Sequence, residues 1–163
     1  MNLESVNTIR HLSFLENGNV TVYSSILRMG ANHSRVDNAS SGGVTCGITK
    51  SGRLKPVGYS LSGERFEKHP TSGVAFDSVT VPSFEKSLRF VESLHRSFPL
   101  FRILSWDIAI DQDGDPVLLE TNMYRGGIHF HQLNNGPLFG EDQDRILSEV
   151  RWKVPDICYP KYY

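Results

Sequence analysis

Residues 105–122, SWDIAIDQDGDPVLLETN, decide how the rest of the chain is read. Two apolar-rich extended runs flank Gln112, Asp113, Gly114 and Asp115, and an Asp-Gly step between such runs signals a hairpin. We read residues 102–111 as one strand and residues 116–120 as its partner. Asp107 then lies on the first strand, with Glu120 and Asn122 at the end of the second. Residues two apart on extended chain point the same way, so Glu120 and Asn122 share a face. A four-residue turn can bring Asp107 to the same end of that face. Two carboxylates and an amide oxygen are hard donors suited to Mg²⁺, which completes its shell with water and phosphate oxygens. A metal so held would bridge phosphate oxygens and neutralise charge as a γ-phosphoryl group moves. The competing reading is that acids beside an Asp-Gly turn are simply solvated.

Upstream, residues 8–14 and 20–27 alternate apolar and polar side chains about Asn17-Gly18, which predicts an antiparallel hairpin. Residues 44–49 and 54–59 form a second candidate pair, joined through Ser51-Gly52. Between them ANHSRVDNASSGG is too polar to be core, and residues 63–82 read as a long irregular stretch. Pro82-Ser83 opens a helix in which Phe84, Leu88, Val91, Leu94 and Phe98 fall at helical spacing, ending before Pro99. Residues 124–140, YRGGIHFHQLNNGPLFG, read as a glycine-bearing loop, residues 142–150 as a short helix and residues 151–163 as a surface tail. Strands with one central helix predict a single α+β domain, an antiparallel sheet with one or two packed helices.

At 163 residues the chain can bury a real core but is too short for two full domains. Lys and Arg number 17 against 18 Asp and Glu, a balance that gives no electrostatic reason for a nucleic-acid partner. No apolar run approaches the roughly 20 residues of a bilayer span, and the N-terminus lacks a signal-peptide layout. Cys46 and Cys158 have no CxxC spacing and read as reduced thiols, so a cytoplasmic location is expected.

Three further features carry chemistry. In the loop from Asp37 to Gly43, adjacent Gly42 and Gly43 let backbone N–H groups approach an anion, with Asn38 and Ser41 beside them. An ordinary flexible loop is the alternative. Arg28, just upstream, adds a donor for a phosphate or carboxylate, and Arg10 on its strand can bind a substrate anion or face solvent. His129 and His131 alternate about Phe130. On an extended segment both rings share one side, but no third ligand has a metal-site spacing, and His69 stands alone.

The order of these motifs, SVNTIR, LRMG, VDNASSGG, HPTSGVAF, VPSF and SWDIAI…PVLLETN, resembles the sugar-transfer-associated ATP-grasp family across roughly residues 5–141. It is similar, more distantly, to glutamate-ligase and D-alanine-ligase branches of that superfamily. The resemblance implies that Asp107, Glu120 and Asn122 match the magnesium ligands. It implies that Arg10 and Arg28 match basic residues facing the triphosphate and acyl-phosphate, and that Asn38, Ser41, Gly42 and Gly43 match the loop near the γ-phosphate. It further implies ATP and Mg²⁺ as cofactors, and activation of a carboxylate as an acyl-phosphate for attack by an amine or a thiol. A role in polysaccharide biosynthesis is implied by the family name.

In that family the phosphate lysines and the adenine-contacting linker precede the first of these motifs. The chain is therefore expected to carry the C-terminal half of the clamp, with the N-terminal nucleotide-clamp half absent. Expected partners are small-molecule carboxylate and amine substrates, and either a second copy of the chain or a missing half in another chain. Two rival expectations are a non-catalytic binding or oligomerisation module derived from such an enzyme, and a histidine-based metal hydrolase using His129 and His131.

Overall fold

A computed structural model describes residues 6–30, 43–60, 62–124 and 126–151. Among them seven strands form one sheet: β1 (Thr8–Glu16), β2 (Asn19–Met29), β3 (Val44–Ile48), β4 (Leu54–Ser60), β5 (Arg65–Phe66), β6 (Ile103–Ile110) and β7 (Pro116–Asn122). Their spatial order is β5-β4-β3-β2-β1-β6-β7. Every neighbouring pair is antiparallel. Three helices accompany the sheet, α1 (Phe84–Arg96), α2 (Ile128–Asn135) and α3 (Gln143–Arg151). The chain is α+β, as its pattern predicts. No helix among the described residues is long and apolar enough to cross a membrane.

Alternation along the central strands assigns the two faces. Ile9, Leu27, Met29, Val44, Cys46, Ile48 and Leu54 are buried on one of them, together with Phe76, Val81 and Phe84. Leu104, Trp106 and Ile108 continue that face, where Val91 of α1 packs on them. The amphipathic spacing read in residues 84–98 is thus the side of α1 that seals the core. Gly58 lies under this layer, where an added Cβ would meet Phe76 Cε2 at 2.8 Å and the Thr45 carbonyl oxygen at 3.0 Å. Gly58→Ala should cost about 1–3 kcal/mol by overpacking, read as a lowered urea midpoint; an unchanged midpoint would contradict the close fit.

This core also holds two polar chains whose direction is determined. His95 Nε2 lies 2.8 Å from the Phe101 carbonyl oxygen, which can only accept, so His95 donates there and Nδ1 accepts from Ser13 Oγ at 2.7 Å. Ser13 Oγ in turn accepts from Trp106 Nε1 at 2.7 Å. Similarly Ser87 Oγ donates to the Phe84 carbonyl, so it accepts from His11 Nε2 at 3.0 Å, and His11 Nδ1 accepts from Ser25 Oγ at 2.7 Å. Burial lowers the His11 pKa to about 3 and lowers that of His95 as well. Both chains end on a backbone carbonyl, so every buried group in them is paired.

Two expectations need correcting. Residues 63–82 contain strand β5, a 3-10 turn at Phe76–Ser78 and isolated bridges from Arg53 to Thr80 and Lys68 to Ala75. Residues 128–135, read as loop, form helix α2, bracketed by Gly127 and Gly136 at positive φ. Tertiary packing outweighs weak apolar periodicity here, since Asn134 Nδ2 donates to Thr45 Oγ1 and Asn135 Nδ2 to Ser24 Oγ. The helix at 142–150 is present as α3, and the tail from residue 152 onward lies outside the described residues.

Candidate functional site

The face opposite the core gathers the charged candidates. Asp107 sits in register with Arg10 on β1 and with Glu120 on β7, so the three residues form one row across adjacent strands. Asn122, opposite Ser105, is two residues along on the same face. The hairpin expectation of a shared face therefore holds for Asp107, Glu120 and Asn122. It holds because of a β-bulge. Ile108 pairs with Leu118 but Asp107 pairs with Glu120, leaving Leu119 as the extra residue.

Asp107 is the hub. Its Oδ1 accepts from Arg10 Nε at 2.6 Å, and its Oδ2 from Arg10 Nη2 at 2.6 Å and Arg28 Nη1 at 2.7 Å. The Arg10 fork is bidentate, the strongest and most directional form of this pair. The side chains are 12%, 12% and 4% exposed for Arg10, Arg28 and Asp107, so the cluster is largely withdrawn from water. Arg10 and Arg28, expected to face an anion, are thus brought together and oriented by a carboxylate. Glu120 is exposed, and the Asn122 amide nitrogen is buried without a hydrogen-bond partner.

Helix α2 starts beside Arg10 of this row and packs over β2, β3 and β4. Ser105 Oγ donates to the Gly126 carbonyl at 2.6 Å, which brings the chain back across the sheet after β7. Gly127 then has φ +70°, a backbone conformation that favours glycine, and a Cβ there would fall 2.9 Å from Arg10 Nη1. One turn later His131 is fully buried, with Nδ1 2.8 Å from Ser24 Oγ. Burial, with Arg10 and two neighbouring histidines adding to it and Asp107 opposing, lowers the His131 pKa to about 3. His129 is exposed on another side of the helix. The expected alignment of His129 and His131 fails because they lie on a helix, where residues two apart diverge. Among the described residues no three His, Cys, Asp or Glu gather as a metal cluster.

Of the glycine loop only Gly43 is described, buried just before β3; Asn38, Ser41 and Gly42 lie outside the described residues. His69 is buried at the far end of β2, where its Nε2 donates to the Gly30 carbonyl at 3.0 Å and its Nδ1 accepts from Ser72 N. It holds the chain leaving β2 rather than entering the charged row. Reading the sequence missed His131 as a neighbour of Arg10, and the only available signal was a histidine four residues after Gly127.

A hollow of about 570 Å³ among Glu16, Asn17, Arg96, Pro99 and Arg102 contains none of these residues. Its Glu16 is salt-bridged to Arg102 and Arg145. A family model described as sugar-transfer associated ATP-grasp matches residues 1–145. Comparison with curated proteins and with solved structures finds no match.

Proposed function

The chain belongs to the sugar-transfer associated ATP-grasp family, and from that premise we propose that residues 5–141 form the metal-bearing half of an ATP-dependent carboxylate–amine ligase site. A thiol is the alternative nucleophile. The observation that carries the proposal is the row Glu120–Asp107–Arg10 with Asn122 on the same face and Arg28 joined to Asp107. Oxygen donors alone make up the set Asp107, Glu120 and Asn122, which fits Mg²⁺ and not a soft metal. Asp107 Oδ1 accepts from one guanidinium nitrogen and Oδ2 from two, so Oδ1 keeps a lone pair for a cation. When bound, Mg²⁺ would neutralise charge on phosphate oxygens and on the acyl-phosphate formed from a carboxylate substrate.

Asp107 does two things in this scheme. It presents an oxygen towards Glu120, and it holds the Arg10 fork and the Arg28 tip in place before any ligand arrives. Preorganised cations of that kind stabilise charge that develops during transfer without reorganising at the moment of reaction. The charges of Arg10 and Arg28 cancel those of Asp107 and Glu120, so the row offers bare Mg²⁺ little net attraction. The metal should therefore bind together with a polyphosphate and not ahead of it.

Calorimetry tests this. Mg²⁺ alone should give no measurable heat, while ATP with Mg²⁺ binds the wild type. Glu120→Gln should weaken the latter at least tenfold, about 1.4 kcal/mol. Glu120 is exposed, so the variant keeps its fold. Equal affinity of wild type and variant would remove the site from the reaction.

A second reading has its own observation. Edge strand β7 exposes Val117, Leu118 and Leu119, and Met123 and Tyr124 follow it, an apolar strip of the kind that pairs with another chain. A module that binds or oligomerises through β7 predicts a dimer mass by light scattering. A monomer at high concentration would argue against it.

A further inference from the structure

Three buried histidines, on β1, α1 and α2, are each tethered by a serine, and they end differently. The chains through His11 and His95 finish on the carbonyl oxygens of Phe84 and Phe101. The third begins at Asn135, whose Nδ2 donates to the Ser25 carbonyl at 3.0 Å; that contact sets the amide orientation, because a carbonyl cannot donate. The same nitrogen donates to Ser24 Oγ at 2.8 Å. Ser24 Oγ therefore accepts from Asn135 and has its own proton to give, and His131 Nδ1, 2.8 Å away, receives it. Nδ1 being an acceptor, the neutral ring carries its proton on Nε2. Yet Nε2 is fully buried with no hydrogen-bond partner. A polarised series of donors thus stops at an unspent N–H, in a low-dielectric place where such a group costs free energy.

The His131 ring lies near the charged row. His131 follows Gly127 by one helical turn, Gly127 rests against Arg10, and the charges of Arg10 and Asp107 both act on the ring. The Nε2–H is the donor without a partner and Arg10 beside it is a cation, so the group that suits both is an acceptor oxygen carrying negative charge. We propose that His131 is a ligand-binding residue, its Nε2–H and the Arg10 guanidinium together holding one anionic oxygen of a phosphoryl or carboxylate group. This deepens the proposed function and rests on reading Arg10 and Arg28 as an anion centre. Ser24 and Asn135 are positioning residues, since they set which ring nitrogen carries the proton. The ring stays neutral on binding and moves no proton.

Imidazole ¹⁵N–¹H spectra of the full chain test the idea without turnover, with the His131 signals identified by their loss in His131→Gln. The free protein should show His131 as the Nε2–H tautomer. Inorganic phosphate and propionate, titrated separately, represent the two sources of the oxygen. A shift of the Nε2 signal with phosphate assigns the contact to a phosphoryl group, and a shift with propionate assigns it to a carboxylate. Ser24→Ala should weaken the shifting anion about tenfold, as loss of a hydrogen bond to a charged group does. An Nδ1–H tautomer, or an anion that binds without moving the signal, overturns the role of His131 and leaves the arginine centre standing. If neither anion binds, the arginine centre itself fails and the proposal fails with it.

Discussion

Lowering the pH from 7 to 5 should remove much of the stability of this domain, because His11 and His131 must stay neutral to remain inside. Both have folded pKa values of about 3, burial being the largest cause, against an ordinary 6.5. The unfolded chain therefore takes up protons below pH 6.5 that the folded chain refuses until near pH 3. Stability is full above pH 6.5 and falls as pH drops through that window. Each histidine contributes a slope of about 1.4 kcal/mol per pH unit, so the pair loses about 4 kcal/mol between pH 6.5 and pH 5. That is a large share of the roughly 5–15 kcal/mol by which domains are stable. Charged neighbours do not reverse the sign. Asp107 alone favours protonated His131, while Arg10, His11 and His129 oppose it. Urea midpoints at pH 7, 6 and 5 measure the slope, and His11→Gln, which can accept from Ser25 and donate to Ser87, should reduce it. Midpoints that stay level across this range would show that neither ring is held neutral.

Asp107→Ala should be the most damaging substitution in the charged row, and its damage should fall on folding before it falls on any ligand. The carboxylate accepts three guanidinium hydrogen bonds in a cluster almost closed to solvent. Removing it leaves two neighbouring cations without that counter-charge, at a cost of about 3–5 kcal/mol. Asp107→Asn should be little better, because its amide would set a donor against one of the guanidinium groups. The double variant Asp107→Ala/Arg28→Ala should lose less than the two single losses added together, since the residues share one network. Chemical denaturation gives all four corners of this cycle. A loss below about 1 kcal/mol for Asp107→Ala would mean the cluster is solvated after all. For the same reason Glu120 is the better residue for testing ligand binding, as it lies on the exposed edge and carries less of the fold.

Most of the strands and helix α1 were legible because their signals are local. Asn17-Gly18 and Asp113-Gly114 lie in the turns of two hairpins, and Phe84, Leu88 and Val91 mark one side of α1. Asp107, Glu120 and Asn122 were read as sharing a face, but the register that makes it so was not readable. Pairing outward from the turn matches Ile110 with Pro116 and Ile108 with Leu118, which would continue to Asp107 opposite Leu119. Glu120 would then share a face with Trp106, inside the core. Only the extra residue at Leu119 reverses this, and nothing in PVLLETN announces a bulge. Helix α2 was missed because its inner face is polar: His131 and Asn134 are its buried residues, and they are held by hydrogen bonds to β2 and β3. An apolar stripe was the signal sought, and a polar stripe does the packing. The paired state of Arg10 and Arg28 was also invisible, since charge partners far apart in the chain leave no spacing to read.

Strand β1 lies between β2, its neighbour in sequence, and β6, which arrives almost a hundred residues later. Arg10 and Asp107 are 97 residues apart, so no short stretch of the chain contains the charged row. The hairpin β1–β2 holds the cations without their carboxylate, and the hairpin β6–β7 holds the carboxylates without their cations. Neither half is neutral, and neither is dry, until the sheet closes between them. An anion captured by this row is therefore a measure of closure itself, reporting the cooperative unit as a whole and no local fragment of it.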